Sequence, residues 1–141
     1  MRYIKTYENH SNITFEVKKR MRNVVSCNYA YLKDNGKIVS KCIFFTPSKN
    51  GNEWLIYDGG SIETFDSGKI AKVYLVESKE KGKGLGTLLF NKLEEYLKNI
   101  GIRQIHLDVD VNNIRAQEFY KKLGFKEKWK GFDSYRYCLN I

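Results

Sequence analysis

Three glycines at alternate positions, Gly82, Gly84 and Gly86, are the residues of this sequence whose type and spacing most directly indicate chemistry. A glycine has no side chain, so the backbone can approach a ligand closely. The residues that follow have helical periodicity, and the free amides and the dipole at a helix N-terminus favour an anion. The spacing predicts a phosphate site, although an ordinary tight turn has the same composition.

The sequence matches neither of two common phosphate-binding motifs. A Walker loop needs a glycine, four residues and then Gly-Lys-Ser or Gly-Lys-Thr, and the sequence contains no such string. A Rossmann loop follows a strand that opens the chain, whereas these glycines lie past the midpoint of the 141 residues. If they bind a phosphate, they do so in a different type of loop.

The elements that must position these glycines are a strand before them and a helix after them. Residues 70–76 are mostly apolar and predict a strand. Leucines recur at helical spacing from Leu85 to Ile100, and Gly101 ends the helix. Residues 103–111 then alternate strictly, so the three elements predict a right-handed parallel crossover.

A second motif, NIRAQEFYKKLGF, occupies residues 113–125, with Asn113 as a favourable N-cap and Gly124 as a stop after Lys122. Together the two motifs resemble those of the GNAT superfamily of N-acetyltransferases. Its acyl-CoA pyrophosphate loop reads Arg or Gln, two residues, Gly, any residue, Gly or Ala, and its second signature reads Asn-x-x-Ala-x-x-x-Tyr before Leu-Gly-Phe. Lys81 stands where Arg or Gln is usual, which keeps the charge but loses planar, two-pronged hydrogen bonding.

The resemblance implies a fold and a co-substrate. The fold would be α/β (α+β), with a mixed, mostly antiparallel twisted sheet, one parallel strand-helix-strand crossover and flanking helices, in one domain over residues 1–141. Acetyl-CoA would bind without a metal, its pyrophosphate on the amides of residues 82–87 and its pantetheine on the central strand. Asn113 would bond the pantetheine or only cap its helix. The implied cofactor-binding residues are Leu75, Val76, Lys81, Gly82, Lys83, Gly84, Leu85, Gly86, Thr87 and Asn113.

The resemblance also implies one catalytic residue. Tyr120 matches the family's general acid, because a phenol with a pKa of about 10 stays protonated at neutral pH and can donate to a departing thiolate. The alternative is a core aromatic residue beside Phe119 and Leu123. Residues 70–76 contain no carboxylate where many members have a glutamate base. A water-mediated route stays open, as do the nearby candidates Asp58, Glu63, Glu77, His106 and Asp108.

The N-terminal half of the sequence carries no motif. Residues 29–45 predict a β-hairpin around Asn35-Gly36, and residues 54–65 continue a meander. Residues 17–25 fit either a strand or a short helix. Since the family usually places two helices after its first strand, and these help to shape the acceptor site, we expect this half to be unusual.

Composition and net charge limit the kinds of binding partner and the cellular compartment that we expect. The absence of an apolar run of membrane length and the polar N-terminus predict a cytoplasmic protein without a membrane partner. The formal charge of +9 implies an anionic partner, which coenzyme A satisfies in part; nucleic acid at the basic residues 18–22 is the less favoured explanation. The three cysteines share no metal-ligand spacing. A homodimer stays open.

These observations favour an acetyl-CoA-dependent N-acetyltransferase that acts on a primary amine of a small molecule or peptide. The alternative is a non-catalytic module that binds acyl-CoA or nucleic acid, and Tyr120 favours the enzyme. Release of free thiol from acetyl-CoA with a panel of amines discriminates between them. The acceptor is not identified, because its pocket would come mainly from the half of the sequence without a motif.

We expect Lys81→Ala to weaken the binding of coenzyme A and to flatten the dependence of that binding on salt, because the variant loses one cation beside the phosphates. Calorimetric titration at increasing NaCl concentrations measures both quantities. A salt slope equal to that of the parent would remove Lys81 from the phosphate site.

Overall fold

The structure is a computed structural model that describes residues 12–22, 25–58, 61–65, 68–79 and 84–141. Lys81, Gly82 and Lys83, three residues of the predicted phosphate site, lie outside these ranges.

The described residues form ten strands and two helices. The strands are β1 (Ile13–Arg22), β2 (Val25–Asp34), β3 (Lys37–Thr46), β4 (Ser48–Asn50), β5 (Glu53–Asp58), β6 (Ser61–Phe65), β7 (Ile70–Ser78), β8 (Gln104–Asp110), β9 (Lys126–Lys130) and β10 (Ser134–Asn140). The helices are α1 (Leu85–Asn99) and α2 (Ile114–Lys122). Neither of these helices is long and apolar enough to cross a membrane.

Seven strands form one sheet in the order β1-β2-β3-β7-β8-β10-β9. Every neighbouring pair is antiparallel except β7 and β8, which are parallel and are connected through α1. The predicted α+β fold, with a mostly antiparallel sheet and one parallel crossover, is confirmed.

One face of the sheet, here called the helix face, holds the hydrophobic core. Ala71, Val73 and Leu107 point to this face and join one buried cluster with the apolar side of α1. Burying a leucine stabilises a fold by about 1.5–3 kcal/mol, so this stripe is the main reason that α1 docks here. Its buried leucines are the predicted Leu85, Leu88, Leu89, Leu93 and Leu97.

The end of α1 differs from the prediction by one residue. Ile100, expected to continue the apolar stripe, is the C-cap and is 44% exposed. Gly101 follows with a φ of 91°, a left-handed conformation that ends the helix as the sequence predicts. The turn brings Ile102 into the core in place of Ile100.

The region between residues 12 and 58 contains strands and no described helix. The predicted hairpin forms from β2 and β3, with positive φ at Asn35 and Gly36, as a two-residue turn of this type requires. The ambiguous residues from 17 onwards continue β1 as far as Arg22, paired with β2 in regular register. The long hairpin β1-β2 therefore occupies the part of the chain where the family usually has two helices.

The predicted meander forms a second sheet. Strands β4, β5 and β6 pair antiparallel with one another and not with the seven-stranded sheet. Leu55 and Ile56 of β5 are buried. Glu63 of β6 reaches side chains of β7 and β10, so this small sheet covers part of the face opposite the helices, here called the outer face.

Parallel pairing of β7 and β8 stops before either strand ends. The register runs from Ile70 opposite Gln104 to Val73 opposite Leu107, whereas β7 continues to Ser78 and β8 to Asp110. Against β3, Phe44 pairs with Val73 and Ile43 with Leu75, which leaves Tyr74 as an extra residue. A bulge of this kind bends its strand. The ends of β7 and β8 consequently leave a gap between them.

Candidate functional site

A cavity of about 620 Å³ lies where the gap between β7 and β8 meets the first turns of both helices. Three sequence segments contribute its walls: the end of β7, the start of α1 and most of α2. The lining residues are Val76, Ser78, Gly84, Leu85, Gly86, Thr87, Asn113, Arg115, Ala116, Glu118, Phe119, Tyr120 and Lys122. The structure thus brings the two motifs of the sequence together at one concave surface.

The N-terminus of α1 opens into this cavity without a side-chain cap. Gly84 is the N-cap residue, with a φ of 77°, and no side chain of the described residues accepts a hydrogen bond from the first turn. The carbonyl of Gly84 accepts from the amide of Leu88, which begins the helical pattern. No acidic residue lies in the first turn. The leading amides and the helix dipole therefore favour an anion at this end of the cavity.

Gly86, predicted from the sequence to allow close approach of a phosphate, also lies at the contact between α1 and α2. A Cβ at this position would lie 3.0 Å from Cζ of Phe119 and 3.3 Å from its Cε1. The ring of Phe119 in turn contacts the rings of Phe90 and Tyr120. The absent side chain lets α1 and α2 approach closely, a role that the sequence prediction of close phosphate approach did not include.

Asn113 caps α2, as one of the two sequence hypotheses proposed. Its Oδ1 accepts a hydrogen bond of 3.1 Å from the amide of Ala116. The residue also lines the cavity, and the cap uses only its Oδ1, so the Nδ2 group is not consumed by capping. Capping and ligand binding are therefore compatible at this position.

Tyr120 lines the cavity and packs against the core. Its ring makes edge-to-face contacts with Phe90, Phe119 and Phe125, at centroid distances of 5.7, 5.2 and 5.5 Å. Burial, with Cys42 nearby, raises the pKa of the phenol above its usual value. The group is therefore protonated at neutral pH, as a proton donor requires, and the same shift makes it a weaker acid than a free phenol. The structural and catalytic interpretations of Tyr120 are compatible.

Ser78, Arg115 and Lys122 line the cavity but were absent from the sequence prediction. Ser40 Oγ donates to the carbonyl of Glu77 at 3.0 Å, and the two serine Oγ atoms are 2.9 Å apart. Because Ser40 has a single hydroxyl proton, Ser78 must donate to Ser40 and present its lone pairs elsewhere. The sequence feature that could have identified Arg115 and Lys122 is their positive charge within the second motif.

Among the predicted phosphate and pantetheine residues, Leu75 lies in β7 beside the gap but is not part of the cavity wall. No strand of the described residues pairs with the β8-facing edge of β7 beyond Val73. The backbone of residues 74–78 on that edge is therefore placed to bind an extended ligand.

Two candidates for a general base belong to a charged cluster on the outer face. Lys72 Nζ lies 3.0 Å from Glu63 Oε1 and 3.2 Å from Asp108 Oδ2. Arg136 Nη2 lies 2.7 Å from the same Glu63 oxygen, and its Nε donates to Asp108. Although burial acts to raise them, Arg136 and Lys72 hold the pKa values of both carboxyls below their usual range. Such carboxylates are weak bases.

The other base candidates are no better placed. Glu77 is exposed and lies 3.4 Å from Lys41. The side chain of Asp58 lies outside the described residues. His106 is 2% exposed on the outer face, with Nε2 at 3.0 Å from Gln104 Oε1, and does not line the cavity. None of these candidates is among the described residues that line the cavity, which favours a water-mediated route.

The sequence matches the profile of the Acetyltransferase (GNAT) family over residues 3–125. This chain belongs to the GNAT family. Acetyl transfer is accordingly the general chemistry of its relatives. The matched range includes both motifs that line the cavity.

Curated N-acetyltransferase relatives match only part of the chain. An uncharacterized N-acetyltransferase of Methanocaldococcus jannaschii is 38% identical over 89 residues, which cover 60% of this chain and 39% of that protein. N-alpha-acetyltransferase 30 of Schizosaccharomyces pombe is 34% identical over 79 residues, covering 51% of this chain and 52% of the relative. The chain thus spans about half or less of the length of these relatives.

Solved GNAT structures share the fold at low sequence identity. The PaiA N-acetyltransferase of Thermoplasma acidophilum, solved in complex with coenzyme A, superposes with a TM-score of 0.62 at 16% identity, covering 80% of this chain and 60% of that one. The GNAT domain of S. lividans PAT gives a TM-score of 0.65 at 14% identity, covering 86% and 64%.

The environment of His106 predicts a loss of stability in mild acid. Burial, with the charges of Lys128 and Arg136, lowers its pKa to about 4, while Glu63 and Asp108 oppose this. In the unfolded chain the pKa is about 6.5, so the unfolded state takes up a proton first as the pH falls. The free energy of unfolding therefore keeps its full value above about pH 6.5. It decreases as the pH falls from about 6.5 to about 4, by at most about 1.4 kcal/mol per pH unit.

Urea denaturation across this range measures the effect as the free energy of unfolding. His106→Gln is the matched control, because glutamine can donate to Gln104 but does not titrate. We expect the variant to have a flatter pH profile. An equal slope in both proteins would exclude His106 as the source.

Proposed function

We propose that this chain binds acetyl-CoA in the cavity between β7, α1 and α2 and transfers the acetyl group to a primary amine of a small molecule or peptide. The observation that carries the proposal is the joint placement of three features at one cavity. Among the described residues, these features are a start of α1 without a side-chain cap, an edge of β7 without a paired strand beyond Val73, and the protonated Tyr120. The PaiA relative, solved with coenzyme A, supports the choice of cofactor.

Each part of acetyl-CoA would have its own contacts. The amides of residues 84–87 would bind the pyrophosphate, with Arg115 and Lys122 supplying positive charge at the cavity wall. Lys81, Gly82 and Lys83 are assigned to the same phosphates from the sequence resemblance alone. The pantetheine arm would bond the backbone of Leu75 and Val76, and Asn113 Nδ2 would donate to it.

The chemical step would follow from this arrangement. The neutral amine nitrogen attacks the thioester carbon, the C–S bond breaks, and the amine loses one proton while the thiolate gains one. Tyr120 would protonate the thiolate and be reprotonated from solvent. Since Glu63 and Asp108 are tied to Lys72 and Arg136, the amine proton would leave through water.

A non-catalytic acyl-CoA-binding module is the second candidate, because none of the base candidates named from the sequence is among the described residues that line the cavity. Thiol release from acetyl-CoA separates the two functions. The amine panel should include peptide N-termini, because one relative is an N-alpha-acetyltransferase, together with polyamines, aminoglycosides and amino acids. Coenzyme A binding without thiol release for any amine would favour the binding module.

We expect Gly84→Ala to weaken the binding of coenzyme A, because an L-residue resists the φ of 77° that orients the first amides of α1. Gly101→Ala is a matched control, since Gly101 has a φ of 91° and does not line the cavity. Both variants should lose a similar stability, about 1–2 kcal/mol. Calorimetric titration should show weaker binding for Gly84→Ala alone, and equal affinities for the two variants would contradict the phosphate placement.

Tyr120→Phe tests the chemical role. The substitution keeps the ring and its contacts with Phe90, Phe119 and Phe125 but removes the proton. Turnover should fall by about a hundredfold, while coenzyme A affinity and thermal stability stay close to the parent values. Single-turnover kinetics on a verified acceptor isolate the chemical step. Full activity in that step would make Tyr120 a packing residue.

A further inference from the structure

A second depression, of about 440 Å³, lies at the opposite side of β8 from the gap, where β8, β10 and β9 are adjacent. It shares no lining residue with the cavity described above. Its lining residues are Gln104, Gly124, Lys126, Glu127, Lys128, Cys138 and Asn140. The volume is within the range of small-molecule sites.

A bulge in β9 determines which of its charged side chains lie on the side of this depression. Lys126 pairs with Cys138, Glu127 with Tyr137, and Trp129 with Arg136, which leaves Lys128 as the extra residue. Because side chains alternate in direction along the strand, Lys126 and Lys128 lie on the outer face, on the same side as Cys138. Neither lysine is within ion-pair distance of a carboxylate in the described part of the chain.

The amide side chains of the depression are oriented by a hydrogen-bond chain that begins at His106. Gln104 Oε1 can only accept, so His106 Nε2 donates to it across 3.0 Å. Gln104 Nε2 then donates to Asn140 Oδ1 at 2.9 Å. This fixes both amides, and it leaves the Nδ2 group of Asn140 and the second proton of Gln104 Nε2 as donors.

The remaining polar groups of the wall do not oppose an anion. Burial raises the pKa of the Cys138 thiol, although Lys128 and Arg136 act against it, so the thiol is neutral at pH 7. Glu127 pairs with Tyr137, whose ring is buried on the helix face, so its side chain belongs to that face. Two ammonium groups and two amide groups thus present donors around one depression.

We propose that this depression is a second binding site, for a small molecule that carries a phosphate group. Two lysines without a carboxylate partner among the described residues match the double negative charge of a phosphate monoester, and a phosphate has enough oxygens to accept from both lysines and from both amides. A monocarboxylate would match only half of that charge. The site is separate from the predicted acetyl-CoA site and does not depend on the proposed acetyl transfer.

Occupancy of this site also has a consequence for His106. The positive charge of Lys128 contributes to the low pKa of the imidazole. An anion bound to Lys128 offsets that charge, so the pKa of His106 should rise when the site is filled. The carboxylates of Glu63 and Asp108 and the guanidinium of Arg136 also act on the ring, but they are not part of the depression.

The test is an NMR titration of the whole chain with inorganic phosphate at constant ionic strength, with acetate as the comparison anion. We expect saturable shifts of the side-chain amide signals of Gln104 and Asn140 with phosphate, weaker ones with acetate, and a rise in the pKa of His106. Because these signals report on one depression, phosphate at the start of α1 is not confused with phosphate here. If phosphate leaves all these signals unmoved, the proposal is overturned.

Three variants complete the test. Lys128→Gln removes one cation, and Asn140→Asp keeps an acceptor for Gln104 while replacing the free donor by a negative charge. Each should weaken phosphate binding by about tenfold or more. Lys121→Gln is the matched control, an exposed lysine of α2 outside both cavities, and should bind as the parent does. Equal weakening in all three would mean a diffuse basic surface and would also overturn the proposal.

Discussion

Pairing between β7 and β8 ends at Val73 and Leu107, and the site depends on this interruption. The extra residue Tyr74 bends β7 while its pairing with β3 continues to Ser78. One edge of the strand thus remains paired in the sheet, and the other edge has no paired strand beyond Val73 among the described residues. A regular sheet would satisfy these backbone groups internally and would leave no room between the starts of α1 and α2.

The two faces of the sheet are stabilised by different interactions. The helix face stabilises the fold by burying apolar side chains of α1 and the central strands. The outer face, without helices in the described residues, holds β6 in place through ionic contacts of Glu63 with Lys72 and Arg136. Such contacts are directional, and each carboxylate is shared between two cations. The small sheet β4-β5-β6 therefore occupies a defined position over the strands that form the gap.

Much of the site could be predicted because it lies in short motifs. Gly84, Asn113 and Tyr120, whose binding and catalytic roles stay predictions, line one cavity, since each motif combines a helix start with a local backbone requirement. The bulge at Tyr74 had no such signal, because nothing in an apolar strand marks the extra residue. Lys72 was also beyond prediction: a lysine within a strand suggests solvent, and only partners from two other strands allow its burial.

Gly86 of the first motif packs next to Phe119 of the second motif, so the side chains that fit at these two positions depend on each other. A Cβ at position 86 would lie 3.0 Å from the ring of Phe119, so a side chain at this position would require the ring to move by a few tenths of an ångström. Among GNAT sequences this geometry imposes a joint constraint on two positions far apart in the chain. A lineage that acquires alanine or serine at position 86 should carry a smaller side chain at position 119, whereas glycine at 86 should accompany a large aromatic ring at 119.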